Sequence, residues 1–118
     1  MAAVNLISAT SIIGKTHAES VTNTATVVLA NALNSSEVYR INVLYVTNLG
    51  VADAAVTIDL FRGGVSYKIV YNLPVPTNNS TVAIAKDSSI YLEEGDSLRI
   101  AANQAGLLQY VVSYEIMS

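Results

Sequence analysis

Three places in the chain carry residues with the types and spacing for chemistry. Ala9-Thr10-Ser11-Ile12-Ile13-Gly14-Lys15-Thr16 has the outline of a phosphate loop, with alanine where the first glycine belongs. Such a loop works because backbone N–H groups at a helix start cradle phosphates while the lysine reaches them. It needs a strand before it and a helix after it. Here the chain runs on into Thr/Val-rich sequence that favours strand, so Gly14 to His17 reads as a turn and no nucleotide is expected. His17 is the single histidine, with Glu19 near it. A hydrolytic triad or a histidine metal site needs partners around it, and no nucleophile motif supplies them. His17 therefore reads as an exposed loop residue. Asp87, Glu93, Glu94 and Asp96 crowd one region and carry the oxygens a hard cation takes, but calcium-loop spacing is absent. They read as a solvated turn. Paired carboxylates for sugar hydrolysis would need a cleft with stacking aromatics, and the chain has no Trp and one Phe. No catalytic, cofactor-binding or metal-ligating residue is assigned, and an enzyme is not expected.

Composition points instead to association. Hydrophobic residues make up 52% of the 118 positions and charged residues 13%, about half the roughly 25% of an average domain. A small domain has much surface per residue. So large an uncharged exterior either faces a partner or risks aggregation, which predicts a homo-oligomer or a component of a larger assembly. The six basic residues are scattered along a chain of net charge −3, without the concentrated positive field that nucleic acid needs. The chain has no cysteine, so disulfides and thiolate metal sites are excluded. No signal-peptide pattern and no run of about 20 apolar residues is present, so no membrane partner is expected.

The elements that would position any site are strands. Val56, Ile58 and Leu60 alternate with Thr57 and Asp59, and Val65, Tyr67, Ile69 and Tyr71 alternate with Ser66 and Lys68. A period of two places successive side chains on opposite faces of a pleat. Gly63-Gly64 between these runs supplies hairpin chemistry. Val38 to Asn48 precedes them as a third strand, and Pro74 and Pro76 close the group. Val21 to Ala32, Val82 to Ile84, Ile90 to Leu92 and Leu98 to Ile100 read as further strands. So does a last one in which Leu108, Tyr110, Val112, Tyr114 and Ile116 face inward. No segment shows a sustained helical period. Residues 1–118 form a single all-β domain of eight or nine short strands, an antiparallel β-sandwich of jelly-roll type. Residues 1–13 make an N-terminal arm or edge strand, in which Val4, Leu6, Ile7, Ile12 and Ile13 are the candidate interface residues.

Leu92-Glu93-Glu94-Gly95-Asp96-Ser97-Leu98-Arg99-Ile100 resembles the turn between late strands of jelly rolls, including trimeric ones of the tumour-necrosis-factor and complement type. More widely, Gly14-Lys15-Thr16, Val38-Tyr39-Arg40-Ile41-Asn42, Val46-Thr47-Asn48, Ala54-Ala55-Val56-Thr57, Val75-Pro76, Tyr91 to Ser97 and Ser113-Tyr114-Glu115 resemble small β-sandwich virion proteins of tailed bacteriophages of cyanobacteria and other marine bacteria. The resemblance implies a non-enzymatic virion protein without cofactor. Its partners would be other virion proteins, either the major capsid protein or tail proteins. Capsid decoration on the outside of the head is the first expectation. A tail, neck or fibre component, or a jelly-roll module binding a glycan or other ligand, is the alternative.

Overall fold

The computed structural model describes residues 10–118. Nine strands form there: β1 (Ile12–Ser20), β2 (Thr26–Ala30), β3 (Val38–Asn48), β4 (Ala54–Arg62), β5 (Val65–Val75), β6 (Ser80–Ile84), β7 (Ile90–Leu92), β8 (Ser97–Ala102) and β9 (Leu108–Met117). One sheet has the order β1-β9-β3-β6, with β7 also paired to β3, and the other has the order β2-β8-β4-β5. Every pairing is antiparallel. β6 and β7 fill one position beside β3, split by a single 3-10 turn at Lys86–Ser88. With that position counted once, successive strands pass back and forth between the sheets, except at the β4–β5 hairpin, which stays within the second. This is the connectivity of a jelly roll, as the strand pattern predicts.

The core lies between the sheets. Ile41, Leu44, Val46, Leu92, Leu108 and Val112 face Val56, Ile58, Val75, Leu98 and Ile100, all of them buried. Tyr110 is buried and Tyr114 packs against the core, on the inward face the sequence assigns to them. Tyr114 also stacks on Tyr39 at 5.9 Å between ring centroids.

Bulges explain where alternation fails. In β3 the register against β9 slips between Ile41 and Val43, so Ile41 and Leu44, three apart, are both inward and buried. In β5 the register slips twice, and Val70 and Leu73 lie opposite the inward Ile58 and Val56. The expectation that Val65, Tyr67, Ile69 and Tyr71 share one face is therefore corrected; Tyr71 is exposed. Gly63 and Gly64, at φ 60° and 78°, make the two-residue turn expected of them. Pro74 lies inside β5 rather than ending it. It is tolerated there because β5 is an edge strand with no second neighbour. Gly14 to His17, expected as a turn, runs through the middle of β1.

One end of the sandwich is closed by a buried asparagine. Asn48 Nδ2 donates to the carbonyls of Ala52 and Val75, both at 2.9 Å, and its Oδ1 accepts from the Gly50 amide at 2.8 Å. The Asn48 amide donates to Asn79 O, and Asn78 N donates back to Asn48 O. Two connections, β3–β4 and β5–β6, are thus tied through one side chain. Replacing Asn48 by Ala leaves the Val75 carbonyl stranded away from water and frees the half-buried Ala52 carbonyl and Gly50 amide. The expected cost is about 2–4 kcal/mol of unfolding free energy. A denaturant titration should show a lower midpoint with an unchanged slope.

Candidate functional site

The phosphate-loop outline does not assemble. Gly14, Lys15 and Thr16 lie in an exposed strand with no helix after it. His17 is half-buried on that strand rather than in a loop. Its ring centroid is 5.8 Å from that of Tyr110, and its Nε2 is 3.7 Å from Glu19 Oε2. The Tyr110 hydroxyl lies 3.5 Å from the same carboxylate. Burial, followed by the Glu19 charge, pushes the Tyr110 phenol up to about 12. The phenol is neutral at ordinary pH and keeps its proton to donate.

The acidic cluster is used inside the fold. Asp96, 1% exposed, accepts from Arg62 Nε and Nη2 at 2.8 and 2.6 Å. Arg62 Nη2 also donates to Glu93 Oε2 at 2.9 Å, and Asp96 Oδ2 accepts from the Glu93 amide at 2.8 Å. Its hydrogen bonds to Asp96 hold the Arg62 guanidinium protonated beyond its usual range. Glu94 is buried and accepts from the Ser36 amide at 2.8 Å. Asn31 completes the arrangement: its Nδ2 donates to the Glu37 and Leu92 carbonyls and its Oδ1 accepts from Ser35. The turn expected to be solvated is thus a polar clasp joining the β2–β3, β4–β5 and β7–β8 connections. Asp87 sits apart from it on the 3-10 turn. Among the described residues no group of three or more His, Cys, Asp or Glu is placed to hold a metal ion.

The sequence reading missed a charged ladder on the outer face of the second sheet. Arg99 and Lys68 flank Asp59 across β8, β4 and β5. Asp59, 5% exposed, accepts from Arg99 Nε and Nη2 at 2.9 and 2.8 Å and from Ser66 Oγ at 2.5 Å. The Arg99 guanidinium lies 4.1 Å above the Phe61 ring. Beside the ladder is a hollow of about 160 Å³ floored by Thr57, Ala101 and Ala25. The three charged residues each occupy outward positions in their strands, which the sequence shows. That they meet depends on register, which it does not show.

Two surfaces remain open. Among the described residues β1 pairs only with β9, and it is exposed along nearly all its length. Its inner face carries Lys15, His17 and Glu19, opposite Tyr114, Val112 and Tyr110. Charges pointing inward guard an edge against casual pairing. At the start of the strand that guard is missing, where Ile12 and Ile13 are 60% and 50% exposed. Val4, Leu6 and Ile7, the other candidate interface residues, lie outside the described residues. The second surface is the outer face of the first sheet. Ala18, Val111, Tyr45 and Val82 form a cross-strand row over β1, β9, β3 and β6. The next row on one side is Ser20, Gln109, Thr47 and Ser80.

The Asp59 ladder sets a pH dependence. The hydrogen bond from Arg99, helped by Ser66 and Lys68 and opposed by burial, holds the Asp59 carboxyl below its usual range. A carboxyl with a depressed folded value stabilises the fold above its unfolded value of about 3.9, and that contribution is lost as pH falls through the folded value. Asp59→Asn is expected to be less stable than the parent at neutral pH by about 1–3 kcal/mol. Thermal unfolding measured from pH 7 to pH 2 should show the gap closing below about pH 4.

No protein-family model matches the sequence, and no curated protein matches it. Two solved structures are similar to it, and the first shares its fold. A chain from the appendages of Bacillus endospores, which form a family of disulfide-linked pili, is similar at a TM-score of 0.52 and 18% identity. That match covers 99% of this chain and 95% of the other. A chain from infectious bursal disease virus, Gt strain, gives a TM-score of 0.44 at 11% identity, over 91% of this chain and 31% of the viral one.

Proposed function

We propose that this protein is a non-enzymatic structural subunit of a virion, attached to the outside of the capsid as a decoration protein. The observation that carries the structural role is β1: a nine-residue edge strand, exposed and paired on one side only, whose Ile12–Ile13 end lacks charge. Such an edge offers backbone donors and acceptors to a strand of a neighbour, with apolar side chains to anchor it. The virion assignment rests on the motif resemblance to phage β-sandwich proteins, and the uncharged exterior agrees with it. Partners are other virion proteins and further copies of the same chain.

A tail, neck or fibre component is the second reading, and the full-length match in fold to a pilus chain agrees with its fibre form. The chain has no cysteine, so the disulfide links of those pili are not open to it. Copy number per particle separates the two readings. Hundreds of copies fit a capsid lattice, and a small closed ring of roughly three to twelve fits a tail position.

Deleting residues 1–13 tests the attachment surface. The expected result is a folded sandwich, with the circular dichroism of the parent, that no longer binds particles. A truncated protein that still decorates would remove the arm and the start of β1 from the mechanism.

A further inference from the structure

The outer face of the first sheet carries no charge across three successive rows. The apolar row Ala18–Val111–Tyr45–Val82 lies in the middle, with Thr47 and Ser113 in the rows on either side. Tyr45, Val82 and Val111 are 44%, 51% and 41% exposed. We infer that this face packs on the same face of a second copy, as a two-fold sheet-on-sheet pair. The inference stands apart from the virion reading.

Charge identifies the occupant. In a two-fold contact every side chain of the patch meets another from the same patch. A single-sign charge there would face its own like, and this chain already carries a net −3. Arg40 and Glu115, in the row beyond Ser113, are of opposite sign and pair with each other at 3.8 Å. The outer face of the second sheet, by contrast, presents Arg99, Asp59 and Lys68, so it offers no comparable neutral match. An apolar centre with a hydroxyl and amide rim is the anatomy of an interface rather than of a solvated face. Two copies of one sheet also have the same twist, so they stack at about 10 Å with strands near −30° without distortion.

The size of the patch sets the strength. Four strands about 4.8 Å apart and three rows about 7 Å apart give roughly 19 by 20 Å, or about 400 Å² of flat area per copy. That is about half the ~800 Å² that each partner gives to a standard stable interface. The pair is weak alone and becomes persistent where other contacts raise the local concentration.

Sedimentation equilibrium on the full chain, up to about 1 mM, should show a reversible monomer–dimer exchange. Tyr45→Lys and Val111→Glu each should weaken it by about tenfold or more, because each buries an unpaired charge in the contact. Val51→Lys, at a fully exposed loop position, should leave association unchanged. All three sites are on the surface, and unchanged thermal midpoints confirm that the variants fold. A parent that stays monomeric over the whole range overturns the inference. So do charge variants that associate like the parent. A monomeric parent that still attaches to particles through residues 1–13 would overturn the face contact and leave the structural role standing.

Discussion

A carboxylate removed from water dictates one whole end of this protein. Asp96 is buried in the turn between β7 and β8, and Arg62 meets it with two parallel hydrogen bonds. Leaving such a charge unpaired would cost several kcal/mol (about 3–5), so the β4–β5 hairpin that delivers Arg62 must stand where it does. Asn31 and Glu94 then bind the β2–β3 connection to the same turn. Asn48 performs the equivalent closure at the opposite end with neutral groups. The sheets between are fixed in register from both ends, and the apolar core is packed against a frame that tolerates little sliding.

The same economy explains the surface. Arg40, Arg62, Lys68 and Arg99 are all engaged in ion pairs within the chain. With only 13% charged residues, that leaves broad stretches of exterior with hydroxyls, amides and apolar side chains alone. Low charge and internal pairing act in the same direction. The residues that most resemble chemical machinery belong to the architecture, and the surfaces open to a partner are those with the least conspicuous sequence.

Much of the fold was readable before the structure. The alternation of Val56, Ile58 and Leu60, the Gly63-Gly64 turn and the inward Tyr110 all hold. Reading failed where backbone irregularity or long-range pairing decides. A bulge beside Asn42 inverts the phase of β3, and the one between Lys68 and Val70 in β5 does the same to Tyr71; a one-residue slip exchanges the faces of a strand. Pro74 stays in a strand because β5 lacks an outer neighbour, which only sheet order reveals. Gly14-Lys15-Thr16 has turn composition, yet the continuous ladder from Ile12 to Ser20 against β9 overrides it. Asp59 and Arg99 are forty residues apart, and no local signal marks them as partners.

The break between β6 and β7 has its own consequence. The chain leaves β3 at Ile84 and returns to it at Ile90. The two halves are anchored separately, by Val82 on Tyr45 and by Tyr91 on Arg40. Lys86, Asp87 and Ser88 between them are exposed. Extra sequence spliced into this stretch would loop outward without shifting either anchor, and lengthening a surface loop costs little entropy, about 0.6 kcal/mol per doubling. The scaffold therefore has a built-in docking point for foreign peptides: an epitope or fluorophore tag carried there would be displayed on the rim of the sandwich while the jelly roll beneath it kept its register.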